Sequence, residues 1–290
     1  MHVLTVPLLL SLAASPLPCL VAAQDSTPQA PAHHDSAAHA PRPRDSSSVA
    51  REIHRGDSLY HAFQHVAALA HYRAAIADDS MSDEALWKAA RAFADIGKQI
   101  EGDADSTKKR RDSLYTEARV FAERAARVNP KNAHAHSMIA QSLGRLSRTR
   151  GGKERVRFAK VIYDEAMQAI ALDSTEDAAW HVIGAWNAEI KRLSGMTRFF
   201  AKTLFGAGFM DKANWDDAQR YLERSVALRP SNVYHHLELA EVYVDVKKYS
   251  AARAQLTAIR DLPDSDVLDP KYKKDAAALF EEIKDKTDKT

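Results

Sequence analysis

The chain has 290 residues, 45% of them apolar and 28% charged, and its 41 Lys and Arg nearly cancel 39 Asp and Glu to leave +2. That balance excludes a disordered polyelectrolyte, a collagen-like chain and a multi-span membrane protein, and the length allows a large core. It also argues against a simple nucleic-acid binder, so no nucleic acid is expected as a partner, although a total hides its distribution.

Val3 to Ala23 carries no charged side chain, and an apolar stretch to Leu12 leads through Pro16 and Pro18 to Val21-Ala22-Ala23. A β-branched residue at −3 and Ala at −1 suit signal peptidase. Residues 1–23 therefore read as a signal peptide cleaved after Ala23, and an exported protein, periplasmic or secreted, is expected. The alternative is an uncleaved N-terminal anchor, which the three prolines and the short apolar core disfavour. Cys19 is the only cysteine. Pro18 stands where a lipoprotein signal wants a small residue, and cleavage after Ala23 leaves a mature chain without thiol chemistry. Residues 24–48 hold almost no large apolar side chain and read as a disordered linker. His33, His34 and His39 there belong to a polar tether more readily than to a metal site.

Behind the linker the chain changes character. Seven of the eleven prolines fall in the first 43 residues, and the remainder is rich in Ala. Helices are expected, in chain order, at 49–63 and 66–78, 83–97 and 113–128, 132–147 and 154–172, 176–193 and 215–229, 232–247 and 249–261, with a closing helix over 270–284. Five segments end alike, at Ala75–Ser80, Ala125–Pro130, Ala169–Ser174, Ser225–Pro230 and Ala258–Pro263. Proline fits just beyond a helix C-terminus because it cannot continue the helix. A second small position recurs at Gly56, Ala90, Ala140, Gly184 and Ala240, and a third, mostly small, at Ala68, Ala118, Ile162, Ala218 and Ala251. This is the tetratricopeptide pattern, two antiparallel helices per unit of about 34 residues. The expected fold is an all-α helical-repeat solenoid of about five helix pairs with a polar C-terminal cap, over residues 49–286.

The unit ends lie 50, 44, 56 and 33 residues apart. The excess falls between the two helices of units two, three and four, as inserts near Lys98–Asp112, Leu146–Arg155 and Ser194–Asn214. Residues from about 52 to 285 then resemble the regulator of microtubule dynamics family. The resemblance rests on Glu84-Ala-Leu-Trp-Lys-Ala-Ala-Arg-Ala-Phe-Ala-Asp95, Ala179-Trp-His-Val-Ile-Gly-Ala-Trp186, and Phe199-Phe-Ala-Lys-Thr-Leu-Phe205 followed by Ala218–Ser225. It implies a tetratricopeptide-like fold and an adaptor role, and for animal members an association with microtubules. It implies no catalytic residue.

The inserts are basic. Segments 98–112, 145–157 and 191–212 carry +1, +5 and +4, which leaves −8 for the rest. In a stack of this type these loops share one edge, which could attract an anionic partner or a membrane surface. The third insert adds Met196, Phe199, Phe200, Leu204 and Phe205 at helical spacing, with Arg198 and Lys202 on another face and Gly206-Ala-Gly208 to end the helix. It can pack on the solenoid as a plug or dip into an interface.

The first helix of each unit lines the concave surface of such stacks, which places Asp57, Tyr60, Trp87, Arg91, Gln141, Arg145, His181, Glu189, Tyr234 and Glu241 inward. Arg91 and Arg145 could pair with a carboxylate and Trp87 could anchor an apolar group. Trp180, Trp186 and Trp215 are expected in the core. Gly56-Asp57-Ser58-Leu59 spells a serine-esterase motif, but it falls inside a helix and no Asp-x-x-His follows. His61 with His65, His134 with His136, and His235 with His236 lack the set of a metal site and are expected as exposed histidines. Gly206-x-Gly208 and Gly151-Gly152-Lys153 lack the glycines and strands of nucleotide loops. No cofactor, metal or catalytic role is expected. The reading is a non-enzymatic scaffold binding a partner protein or peptide in its groove. The alternative is a carrier of a lipid or other apolar ligand between the concave face and the third insert.

Overall fold

A computed structural model of the chain describes residues 46–288. The expected signal peptide and nearly all of the expected linker lie outside these residues. Helix α1 (Ser46–His61) begins three residues before the expected boundary, because Ser48 Oγ donates to Asp78 Oδ2 at 2.7 Å and Val49 packs on Ile53 and Ala75. The pairs that follow are α2 (His65–Asp78) with α1, α3 (Asp83–Lys98) with α4 (Asp105–Val128), and α5 (Ala133–Ser147) with α6 (Gly152–Leu172). Then α7 (Asp177–Arg192) pairs with α9 (Trp215–Leu228) around the inserted α8 (Gly195–Phe205) and a 3-10 turn, Gly208–Lys212. Last come α10 (Val233–Asp245) with α11 (Tyr249–Asp261) and the closing α12 (Asp269–Ile283). The described residues contain no strand.

One turn, built four times, joins successive units. At Asp79, Asn129, Asp173 and Arg229 the backbone N–H donates to the carbonyl four residues back, on Ala75, Ala125, Ala169 and Ser225. The carbonyl of the same residue then accepts from the N–H three residues on, at Ser82, Asn132, Glu176 and Asn232. Three of these residues add a side-chain bond: Asp79, Asn129 and Asp173 Oδ1 accept the N–H two residues ahead. Short acidic and amide side chains favour this local bond. Ser82, Asn132 and Asn232 cap the next helix by accepting the N–H of Ala85, Ala135 and His235. So the recurrent Asp/Asn/Pro/Ser punctuation closes one helix and opens the next.

The small positions set the helix spacing. A Cβ on Gly56 would lie 2.5 Å from Tyr72 Cε1, and one on Gly184 would lie 2.7 Å from Leu222 Cγ. Ala90, Ala140 and Ala240 are fully buried, as are Ala68, Ala118 and Ala218. Unit five departs by one residue. Ala252 and Ile259 are buried where Ala251 and Ala258 were expected. Helix α11 closes differently, with Leu262 N–H on Ile259, three residues back. The Pro263 alignment counted helix ends correctly and the buried face wrongly.

Two of the expected inserts are mostly helix. The first is loop only from 99 to 104, because α4 starts two turns early with Asp105 at its positive end and a Lys-Lys-Arg-Arg run of good helix formers. The second shrinks to 148–151, where Thr149 and Arg150 both donate to Asp112 Oδ2 at 2.7 Å and tie the turn to α4. The third forms α8, capped by Ser194 and ended at Gly206 with φ 66°. One apolar core runs from α2 to the 3-10 turn and a second from α7 to α12; α7 supplies Ile183, Trp186 and Ile190 to the first and Ala188 to the second. Trp186 is buried, whereas Trp180 and Trp215 are only partly so.

The histidines correct the sequence reading. Of the six paired histidines, His65, His235 and His236 are buried and His136 nearly so, while His61 and His134 are exposed. The repeated turn explains two of them, since His136 and His236 Nε2 bond the carbonyls of Pro130 and Pro230 at 2.9 Å. A buried imidazole needs such a partner. The esterase-like segment lies within α1, where Asp57 accepts from Tyr72 Oη at 2.8 Å and Lys88 Nζ at 2.6 Å. Asp57 therefore serves packing between helices, not the concave surface.

Candidate functional site

The first helices of units two to five line one cavity of about 680 Å³. Helical spacing explains the lining. Trp87, Arg91, Asp95 and Lys98 share a face of α3, and Met138, Gln141 and Arg145 share a face of α5, which Arg148 extends just past the helix end. His181, Val182, Ala185 and Glu189 come from α7, and Tyr234, His235 and Glu238 from α10. Of the expected groove residues, Trp87, Arg91, Gln141, Arg145, His181, Glu189 and Tyr234 meet here, with Tyr60 from α1. Glu241 does not. It turns to Arg192, at 3.8 Å, and lies outside the lining.

Two ends of the cavity differ. At one, aromatic and cationic groups stack. Arg91 lies over Tyr60 at 3.8 Å and Trp87 at 5.0 Å, and Trp87 lies 4.5 Å from His134. The Tyr60 hydroxyl donates to Asp95, and burial, then the Asp95 charge, holds Tyr60 well above its ordinary pKa. At the other end Val156, Ile190, Leu193, Ala201, Phe205 and Met210 bring apolar surface from α6, α7, α8 and the 3-10 turn.

The C-terminal region bridges part of the cavity's rim. Lys98 pairs with Asp95 at 2.9 Å and also with Asp266, in the loop before α12. Tyr272 of α12 stacks on Tyr234 at 4.7 Å. Asp266 and Tyr272 thus complete the lining, and neither was legible in the sequence, because the C-terminal cap carries no repeat signal. Arg148 was legible only as charge in an insert.

A histidine pair forms the floor. His235 Nε2 lies 2.7 Å from Asp177 Oδ2, and His235 Nδ1 lies 3.0 Å from His181 Nδ1. The carboxylate accepts a hydrogen bond from His235 Nε2–H, so His235 Nδ1 accepts from His181 Nδ1–H and the His181 Nε2 keeps a lone pair. Burial first, and then the neighbouring His235, Arg145 and Arg148, push His181 well below its ordinary pKa and favour its neutral form.

The lining carboxylates all have partners: Asp95 and Asp266 with Lys98, Glu176 with His134, Asp177 with His235, and Glu189 and Glu238 with Arg192. Among the described residues Arg91, Arg145, Arg148 and Arg155 form no such pair, and Arg91 Nε is buried without a hydrogen-bond partner. The site therefore offers unneutralised guanidinium beside apolar and aromatic surface.

The third insert divides its expected roles. Arg198 donates to the carbonyls of Ile190, Lys191 and Leu193 and so caps α7, and Lys202 pairs with Asp211 at 2.6 Å. Phe205 lines the cavity, whereas Phe199 is 61% exposed, with Met196 at 70% and Leu204 at 67%. The backbone of Phe200 lies in α8. The described residues hold no helix long and apolar enough to cross a membrane and no cluster of three or more metal-ligating side chains.

Stacked antiparallel pairs around a concave cavity make this an all-α helical-repeat protein of the tetratricopeptide type. A thermophilic tetratricopeptide protein of Thermus thermophilus superposes on 80% of this chain and 98% of its own, with TM-score 0.57 and 18% identity. By sequence, the chain belongs to the regulator of microtubule dynamics protein 1-3 family, whose model matches residues 52–284. Regulator of microtubule dynamics protein 1 of Bos taurus is 28% identical over 210 residues, covering 72% of this chain and 64% of its own. Regulator of microtubule dynamics protein 3 of Rattus norvegicus is 25% identical over 195 residues, covering 67% of this chain and 40% of its own. The chain therefore spans less than two thirds of the length of these relatives.

Proposed function

We propose that the protein is a non-enzymatic scaffold that holds a segment of a partner protein in its concave cavity, in an exported setting. The observation that carries this reading is the cavity itself: four repeat helices turn Trp87, Gln141, Arg145, His181 and Tyr234 into one space of about 680 Å³. A large aromatic beside arginines is the composition of protein-binding anchors. The relatives' name speaks of microtubules; the peptide-holding role needs no such partner. A photo-crosslinker at position 87 should yield one dominant adduct, and the same group at Val120, on α4 and 37% exposed, should not. Equal adducts at both positions would overturn the reading.

A second reading has its own observation. The end walled by Val156, Leu193, Phe205 and Met210 is apolar and suits a lipid tail. Native mass spectrometry of the purified protein would then show a mass excess of lipid size, removed by delipidation with loss of stability.

A further inference from the structure

Arg145 is a half-buried cation in the cavity wall. Its guanidinium lies over the Tyr115 ring at 5.8 Å and makes no hydrogen bond or ion pair with any described side chain. Burial alone would discourage its charge. A guanidinium nevertheless stays protonated throughout the physiological range. A permanently charged, half-buried group without a counter-ion is costly, and an anionic ligand would offset that cost. His181 lies close enough to be depressed by Arg145, and its Nε2 lone pair has no donor among the described residues. The two groups ask for complementary things: one needs an anion, the other an N–H.

Resting on the peptide-holding role above, we propose that Arg145 and His181 form a subsite for an acidic residue of the bound peptide. The guanidinium takes the Asp or Glu carboxylate, in the bidentate manner its fork allows, and His181 Nε2 accepts an N–H of the same segment. A fatty-acid carboxylate satisfies Arg145 and leaves His181 without a donor. The carboxylates of the lining stay with the partners they already have.

The test is selection of an acetylated, amidated positional-scanning hexapeptide library on the immobilised full chain, wild type against Arg145→Gln and Arg145→Lys. Wild type should prefer Glu or Asp at one position by about tenfold over Gln or Asn. Arg145→Gln should lose that preference and keep the others, with a thermal midpoint no lower than wild type. Arg145→Lys should keep a weaker acidic preference. Selection without an acidic position would overturn the subsite and leave the groove role standing. No selection at all would remove both. A fall in thermal midpoint for Arg145→Gln would make Arg145 structural, and Arg145-dependent binding of oleate in place of any peptide would assign the subsite to an amphiphile.

Discussion

Glu241 occupies an inward position by repeat spacing, yet its side chain faces α7. There Arg192 lies between Glu189, Glu238, Glu241 and Asp245, with Asp245 nearest at 2.8 Å. Burial, and next the Glu238 charge, pushes the Glu241 carboxyl up to about 7. A carboxyl raised in the folded state favours folding below its ordinary value near 4.5, and that contribution is lost as pH rises through about 7. Glu241→Gln should therefore be neutral near pH 4 and stabilising near pH 8. The gain should be about 1 kcal/mol, well below the full shift because the side chain is half-exposed. Urea melts at the two pH values decide it, and equal stability of the two proteins at pH 8 would contradict the account. Repeat spacing identified the position and its helix. It could not tell that one arginine on α7 gathers four carboxylates, because that depends on how α7 and α10 cross.

At the scale of elements, sequence reading succeeded where a local device recurs. The turns at Asp79, Asn129, Asp173 and Arg229 repeat the same two backbone bonds, so helix ends in the first four units were readable from Asp, Asn, Pro and Ser. The small positions were readable for a steric reason. Gly184→Val should cost about 1–3 kcal/mol through the clash with Leu222, with the loss recovered in part by Leu222→Ala. Chemical denaturation measures both, and an undisturbed Gly184→Val protein would show that α7 and α9 have room to separate. Reading failed where the device changes. Helix α11 closes three residues back, and its buried face shifts by one. His136 and His236 failed for a related reason: each bonds a carbonyl of the turn, and sequence spacing records side chains only.

At the scale of the molecule, the last element reaches back to the second unit. Lys98 stands between Asp95 and Asp266, and Tyr272 stacks on Tyr234. The cap thereby adds a wall to the groove. Asp266→Asn keeps an acceptor for the Leu268 N–H while removing the charge opposite Lys98. It should lower stability by about 1 kcal/mol and speed hydrogen exchange in α12, leaving α1 and α2 unchanged. Exchange unaltered in α12 would mean that apolar packing of Ala276 and Ile283 alone holds the cap.

The near-neutral total of +2 concealed basic inserts, as counting showed, but counting could not say how those charges are used. Arg150 ties α4 to a turn, Arg198 caps α7, and Lys202 holds Asp211, whereas Arg145, Arg148 and Arg155 face the cavity. The helix pairs, their order and most of the inward positions follow from sequence alone, because turn bonds and small-residue contacts are made between neighbours in the chain. The wall added by Asp266 and Tyr272, the histidine floor and the division of guanidiniums into paired and unpaired belong to the tertiary structure. Each depends on residues far apart in sequence, whose meeting is set by the accumulated curvature of five units.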